Sequence, residues 1–219
     1  MKKLIDNLKK EFKERLVCVG LHNIGFMIEE KKNGLLVILD KTEGRDLQII
    51  KYIYVKYGRK VSNPIIVNET FFRNTGNIFC IEALEMQENL NILYGKDPLH
   101  DIKIEKENLK KQCEYELRGK LLTLKGSFLS AYWERKTLHD LLIRSAYNFS
   151  LIIKSLLYLK EKEVKNKTKE ELFDLFEETY TKKLSALRKI VQLKKTPLSE
   201  LIPLFTQYVD EMEAIVAII

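Results

Sequence analysis

The sequence predicts an α+β fold in which a mixed β-sheet domain, residues 1–104, is followed by an α-helical bundle domain, residues 105–219. In the first part, short apolar runs rich in Val, Ile and Leu alternate with segments of helical periodicity, whereas only helical periodicity follows. Of the 219 residues, 45% are hydrophobic and 32% are charged. Such a composition is typical of a globular chain with enough apolar residues for one large core or two smaller ones.

The chain begins with a predicted amphipathic helix, because Leu4, Ile5, Leu8, Phe12 and Leu16 recur at helical spacing. Two short, continuously apolar runs then predict strands that are covered on both faces, over Val17–Gly20 and Leu35–Leu39. A helix ending at Gly58 follows. Its predicted inner face carries Leu47, Ile50, Ile53, Tyr54 and Tyr57.

Three further strands are predicted at PIIV, FCIEALEM and NILYG, which are residues 64–67, 79–86 and 91–95. Between the first two strands, the segment NETFFRNTGN predicts a short turn or helix with Asn68 as its N-cap.

The second half predicts a bundle of about five helices. The first runs from Glu107 to Trp133 and the second, apolar around most of its circumference, from Thr137 to Lys160. A third helix opens at Thr168, where Thr-Lys-Glu-Glu has the pattern of a capping box. A fourth covers about Lys182 to Leu193, and Pro197 is predicted at the first position of the last helix.

Charge and cysteine content exclude several classes of partner. The net charge of +7 is spread evenly, with 17 basic and 14 acidic residues up to Ile104 and 21 and 17 beyond it. A nucleic-acid surface is therefore not expected. No run approaches the ~20 apolar residues of a membrane span. Three scattered cysteines form no zinc or disulfide pattern. We expect a cytoplasmic protein without a membrane partner.

Two motifs lie at the junction of the predicted domains. LYGKDPL, Leu93 to Leu99, ends a strand, and LKKQCEYELRGKLLTL, Leu109 to Leu124, opens the helical part. Both closely resemble a group of small prokaryotic nucleotidyltransferase-domain proteins with the patterns LYG-(E/K)-DPL and LxxQxExELRxKLLxLxxxYL. The matching residues are Tyr94, Gly95, Asp97, Pro98, Leu99, Leu109, Gln112, Glu114, Glu116, Leu117, Arg118, Lys120, Leu121, Leu122 and Leu124.

This resemblance extends over nearly the whole chain. It implies a nucleotidyltransferase-like, polymerase-β-like mixed β-sheet domain, followed by a helical bundle like the C-terminal domain of kanamycin nucleotidyltransferase. In active members, a strand–Gly–Ser–helix turn presents backbone N–H groups to the nucleotide phosphates. Two carboxylates at alternate positions on the next strand then hold Mg²⁺.

Carried onto this chain, the resemblance places Gly20 and Gly25 at the nucleotide-binding glycines, with His22 beside them as a further contact to an anion. Leu21 replaces the serine, Lys32 the first carboxylate, and Gly34 stands at the second position. A protonated lysine cannot coordinate Mg²⁺ and repels it. The resemblance thus implies a degenerate catalytic motif. A third acidic position on a later strand corresponds to Glu82 or Glu85.

Two hypotheses follow for the activity. In the first, the protein has lost metal-dependent nucleotidyl transfer and acts as a nucleotide- or anion-binding or protein-interaction module, so no cofactor and no metal are expected. In the alternative, it is an active Mg²⁺-dependent nucleotidyltransferase that uses a nucleoside triphosphate and displaced carboxylates. The displaced acids would be Glu29, Glu30, Asp40, Glu82 or Glu85, although a solvated turn explains Glu29 and Glu30 better than metal binding does, and a cap of the next segment explains Asp40 better. Asp97, before Pro98, is also predicted in a turn.

A third hypothesis concerns partners. Arg135 and His139 resemble the R-x(4–6)-H ribonuclease motif of HEPN helical domains, but their spacing is one residue short. Together with the fold, this suggests a partner protein in a toxin–antitoxin-like pair. The partners that stay open are therefore a second protein, a second copy of the chain and a nucleotide.

Overall fold

The computed structural model describes residues 1–22, 33–58, 61–73, 75–131 and 134–219. The chain divides into two compact units, Met1–Glu105 and Lys106–Ile219. The first unit combines a four-stranded sheet with helices, and the second, where it is described, is helical. The fold is therefore α+β.

The first unit contains strands and helices interspersed along the chain. A 3₁₀ turn, Lys13–Arg15, leads from the first helix into the first strand. The elements are α1 (Lys2–Phe12), β1 (Leu16–His22), β2 (Gly34–Leu39), α2 (Gly44–Tyr57), β3 (Ser62–Asn68), α3 (Glu69–Arg73), α4 (Thr75–Ile78), α5 (Cys80–Asn89) and β4 (Leu90–Gly95).

The four strands form one mixed, open sheet in the order β3-β2-β1-β4. β1 is antiparallel to both of its neighbours, β2 and β4, whereas β2 and β3 run parallel. The first strand of the chain therefore lies inside the sheet, and β3 and β4 form the two edges.

β2 is buried along its whole length and contributes to two cores. Alternate residues pack on one face with α1 and α2, and Leu36 and Ile38 pack on the other with Met86 of α5. Complete burial of such a side chain contributes about 1.5–3 kcal/mol. The continuous apolar run in the sequence thus reflects a strand covered on both faces.

The predicted strand over FCIEALEM is wrong, because this segment lies mostly within the helix α5. A short apolar run does not by itself distinguish a buried strand from a buried helix. The residues Ala83 to Met86 are all good helix formers, and all four are buried. Glu82 and Glu85 therefore lie on a helix and not on a later strand.

Smaller corrections concern element ends and faces. β1 does not end at Gly20 but continues through His22. In α2, Leu47 is exposed, and the buried position next to it belongs to Asp46. The predicted N-cap Asn68 is confirmed, since its Oδ1 accepts a hydrogen bond from the Phe71 N–H at 2.8 Å.

The second unit consists of five helices in its described part. They are α6 (Lys106–Ala131), α7 (Arg135–Leu159), α8 (Lys169–Tyr180), α9 (Ser185–Val191) and α10 (Leu198–Val216). α7 is the central helix and packs against the other four. The capping box at Thr168 is confirmed. Pro197 is the N-cap of α10 and not its first helical residue, because its ψ of 155° is extended.

The core of this unit follows the helical register that the sequence predicts for α6. Leu109, Cys113, Leu117, Leu121 and Leu124 are buried, whereas Phe128 is half-buried and stacks on Phe205 with ring centroids 4.1 Å apart. Across the described residues, no helix is both long enough and apolar enough to cross a membrane.

Candidate functional site at the end of the first strand

The residues that the resemblance assigns to nucleotide binding lie on β1 and at the start of β2. Gly20, Leu21 and His22 are consecutive on β1, and His22 pairs with Gly34 of β2 on one side and with Leu90 of β4 on the other. Gly25 and Lys32 lie outside the described residues, as do Glu29 and Glu30. Within the residues that the structure describes, the candidate site is thus the end of β1, a central strand of the sheet.

The backbone at Gly20 and Leu21 belongs to the sheet ladder. Gly20 pairs with Leu36 and Ile92, and Leu21 pairs with Leu35 and Asn91. A strand with neighbours on both sides uses its N–H and C=O groups in those ladders. These two residues therefore do not form a turn after the strand, where free N–H groups would meet a phosphate.

Gly20 and Leu21 also have packing roles. A Cβ atom on Gly20 would come within 2.7 Å of Cδ1 of Leu90, so the glycine lets the β4 side chain lie close to β1. The Leu21 side chain is half-buried against the core formed by α1, α2 and the sheet. A leucine in place of the serine thus contributes apolar packing at this position.

His22 fills the space above Gly34. A Cβ atom on Gly34 would overlap Cε1 and Nε2 of the His22 ring and lie 2.6 Å from Nδ1. The φ angle of Gly34 is not in the left-handed region, so the backbone itself would accept another residue. The imidazole ring, and not backbone strain, restricts this position to glycine.

The His22 imidazole is an unusual buried polar group. The side chain is 6% exposed, and neither ring nitrogen has a hydrogen-bond partner among the described residues. Burial lowers the pKa of His22, which favours the neutral ring near pH 7. A neutral imidazole can donate one hydrogen bond and accept another. An unsatisfied buried group of this kind is uncommon and calls for an explanation.

The structure separates the acidic candidates from one another. Asp40 follows the far end of β2, about 20 Å along the strand from Gly34 at ~3.3 Å per residue. There Asp40 accepts hydrogen bonds from the Lys41 N–H at 2.5 Å and from Nε of Arg15 at 3.4 Å. It therefore cannot share an ion with the His22 end of the sheet.

Glu82 and Glu85 are one helical turn apart on α5 but differ in environment. Glu82 is exposed, whereas Glu85 is buried and accepts a hydrogen bond from Nδ2 of Asn89 at 2.9 Å. Among the residues described, no three His, Cys, Asp or Glu side chains form a cluster that could hold a metal ion.

An ion pair between a half-buried arginine and a buried aspartate, which the sequence pattern did not predict, joins the 3₁₀ turn before β1 to α2. Asp46 is fully buried and accepts hydrogen bonds from Arg15 Nη2 at 2.6 Å, Arg15 Nη1 at 3.2 Å and the Glu43 N–H at 2.8 Å. The Arg15 guanidinium, through its hydrogen bonds, lowers the pKa of Asp46. The sequence signal was an acid three residues after Glu43, which is the spacing of a capping box.

The junction motif LYGKDPL has a structural role. Gly95 has a φ of 83°, and a Cβ atom there would overlap the carbonyl oxygen of Val17. The predicted turn at Asp97 is confirmed, because its Oδ1 accepts a hydrogen bond from the Leu99 N–H at 2.9 Å. Nε2 of Gln87 in turn donates to the carbonyl oxygens of Leu99 and Ile102.

The remaining sequence candidates are placed as follows. Arg135 and His139 lie one helical turn apart at the start of α7, and Nδ1 of His139 is 3.4 Å from Oδ1 of Asp140. The three cysteines are free and buried, and burial raises the pKa of Cys18 to about 11.

No protein-family model matches the chain, and a search of curated proteins also gives no match.

Proposed function

We propose that this protein is a binding module on a nucleotidyltransferase-like fold that has lost metal-dependent nucleotidyl transfer. The single observation that supports this proposal most strongly is the packing of His22 against Gly34. Gly34 stands where the resemblance expects the second of two metal-binding carboxylates. Because the imidazole occupies the volume of any side chain there, restoring the carboxylate requires removing the histidine as well.

The residue types at the positions that the resemblance assigns to catalysis also support a loss of metal binding. Nucleotidyl transfer depends on metal ions that are held by carboxylate oxygens and that neutralise the charge developing on the phosphates. Here the aligned residues are a lysine, which carries the same sign of charge as the metal, and a glycine without a donor atom. Leu21 contributes apolar packing in place of a hydroxyl group.

At the end of β1, the His22 imidazole provides polar ring nitrogens but no positive charge. His22 is neutral near pH 7 because burial lowers its pKa. Its ring nitrogens are buried and have no partner among the described residues, so a nucleobase or a sugar hydroxyl would hydrogen-bond to them only where binding exposes the ring. A module of this type would recognise a nucleotide without activating its phosphates, or would bind no nucleotide and serve as a protein-interaction scaffold.

The test is a calorimetric titration of the whole protein with ATP, in the presence and in the absence of Mg²⁺. We expect an ATP affinity that Mg²⁺ does not raise, including the case in which no ATP binds. Where ATP does bind, His22→Ala should weaken it. A rise in affinity of about tenfold or more on adding Mg²⁺, equal to ~1.4 kcal/mol, would contradict the proposal, as would transfer of labelled nucleotide to any acceptor.

A designed variant tests whether the lost ligands alone explain the difference. Lys32→Asp with Gly34→Asp places the two carboxylates of the active pattern, and adding His22→Ala removes the ring that blocks position 34. Only the triple variant is expected to fold with the stability of the wild type and to bind ATP in a Mg²⁺-linked manner. If the double variant behaves in the same way as the triple variant, His22 is not the obstacle.

A further inference from the structure

The outward side of α2 carries large apolar residues that nothing in the described part of the chain covers. Leu47, Tyr52 and Val55 are 53%, 67% and 56% exposed. Lys51 and Lys56 are also exposed, and at 3.6 residues per turn they lie about 140° apart around the helix, with Val55 and Tyr52 between them. We refer to these five residues as the α2 outer face.

This exposure is unusual because α2 already has an inner face that satisfies its packing. Ile50, Ile53 and Asp46 point to the core and are buried. A surface helix of a globular protein normally turns charged and polar residues outward. Here apolar residues extend over both sides, and contiguous exposed apolar surface often marks an interaction site.

The charge on this face has one sign. From Leu47 to the end of α2 there are two lysines and no acidic residue. The one acid of the helix, Asp46, is buried and bound by Arg15. Neither Lys51 nor Lys56 has a carboxylate partner among the described residues; the ammonium of Lys56 instead lies over the rings of Tyr57 and Tyr52, 5.2 and 5.8 Å from their centroids.

A comparison within the same chain shows why charge matters. α6 also exposes a line of apolar residues, Tyr115, Leu122 and Leu129. Its neighbouring cations are paired, since Arg118 binds Glu114 and Lys125 binds Glu213. The α2 outer face, in contrast, combines apolar surface with two lysines that no carboxylate among the described residues neutralises, and this combination specifies the partner that would fit it.

We propose that the α2 outer face is the docking site for an acidic amphipathic helix of another protein. Val55 and Tyr52 match the apolar stripe of such a helix, with Leu47 two turns before Val55. Lys51 and Lys56 flank Val55 and Tyr52 and match carboxylates along the two edges of that stripe. A single-stranded nucleic acid would need several aromatic stacking positions, and this face offers Tyr52 alone. A membrane surface would require the larger apolar face of α2, which is already turned to the core.

This inference goes beyond the proposed loss of nucleotidyl transfer. It depends on α2 and not on the residues at the end of β1. Mg²⁺-dependent ATP binding would overturn the proposed function without affecting the docking site. Failure of the α2 variants to weaken peptide binding would overturn the docking site without affecting the proposed function.

The experiment selects a displayed library of random helix-forming peptides against the whole protein. We expect the enriched peptides to combine leucine or phenylalanine at helical spacing with Glu or Asp. The Lys51→Glu/Lys56→Glu variant should lower the affinity for these peptides by at least about tenfold, equal to ~1.4 kcal/mol. Leu47→Ser/Val55→Ser should lower the affinity by a similar factor. Leu122→Ser/Leu129→Ser on α6 is the matched control and should leave the affinity unchanged.

Circular dichroism and the melting temperature establish that each variant is folded before binding is measured. The proposal fails if no peptide is enriched, if the enriched peptides lack acidic residues, or if the α6 control weakens binding as much as the α2 variants. It also fails if the charge reversal instead abolishes binding to phosphatidylserine vesicles or to oligo(dT), because the partner would then be a membrane or a nucleic acid.

Discussion

At the scale of single residues, His22 and Gly34 depend on each other across two paired strands. The imidazole occupies the place where any Cβ atom of residue 34 would lie. We therefore predict that Gly34→Ala lowers the free energy of unfolding by about 1–3 kcal/mol through overpacking. The double variant His22→Ala/Gly34→Ala should recover most of this loss, because the methyl group then enters the space that the ring has left.

Chemical denaturation of the two single variants and the double variant measures this coupling. Gly119→Ala is the control, since nothing beyond its chain neighbours and the backbone of its own helix lies within 4 Å of a Cβ built at that exposed glycine in α6. It should be neutral or slightly stabilising, as expected for alanine in a helix. Additive effects of the His22 and Gly34 substitutions would show that the ring does not occupy the place that the structure gives it.

At the scale of an element, the start of α2 is held by the ion pair between Asp46 and Arg15. Asp46→Asn should lower the free energy of unfolding by about 1–3 kcal/mol at pH 7, because Arg15 loses its charged partner. Since the folded-state pKa of Asp46 is lowered, its contribution is present above the unfolded-state pKa and is lost as the pH falls through the folded-state value. The difference in stability between wild type and Asp46→Asn should therefore shrink below about pH 4.

Melting temperatures measured from pH 7 to pH 3 test this expectation. Asp40→Asn is the matched control, because Asp40 contacts the same guanidinium at 3.4 Å from an exposed position. An exposed pair of this kind contributes only ~0–1 kcal/mol. A stability difference for Asp46→Asn that stays constant down to pH 3 would contradict a lowered pKa of Asp46 in the folded protein.

At the scale of the whole molecule, the sheet order predicts where the first unit is most stable. β2 is buried throughout and lies between β1 and β3, whereas β4 is an edge strand that is only half-buried. Amides in the buried, doubly paired strands open only in the rarest fluctuations. We predict that hydrogen exchange is slowest in β1 and β2 and clearly faster in β4; equal protection of all three strands would contradict the observed order.

The sequence anticipated those parts of the fold that depend on local pattern. The apolar run of β2, the helical register of α6 and the capping box at Thr168 are each determined within a few residues. The apolar run of α5 predicts a strand instead of the observed helix, because it is short enough to suit either structure. The apposition of His22 and Gly34 was not predictable, because it arises from strand pairing and not from sequence spacing.

The position of β1 inside the sheet also has a consequence for folding during synthesis. β1 and β2 are close in the chain, so they can pair early, but the other side of β1 waits for Leu90–Gly95. Pairings between distant segments require a long loop to close and form slowly. Until β4 emerges from the ribosome, the backbone of Cys18 to His22 therefore presents an open edge, the kind of surface on which nascent chains associate with one another. A pause in translation while Leu90–Gly95 is still inside the ribosome would prolong that exposure, and a pause after this segment has emerged would not.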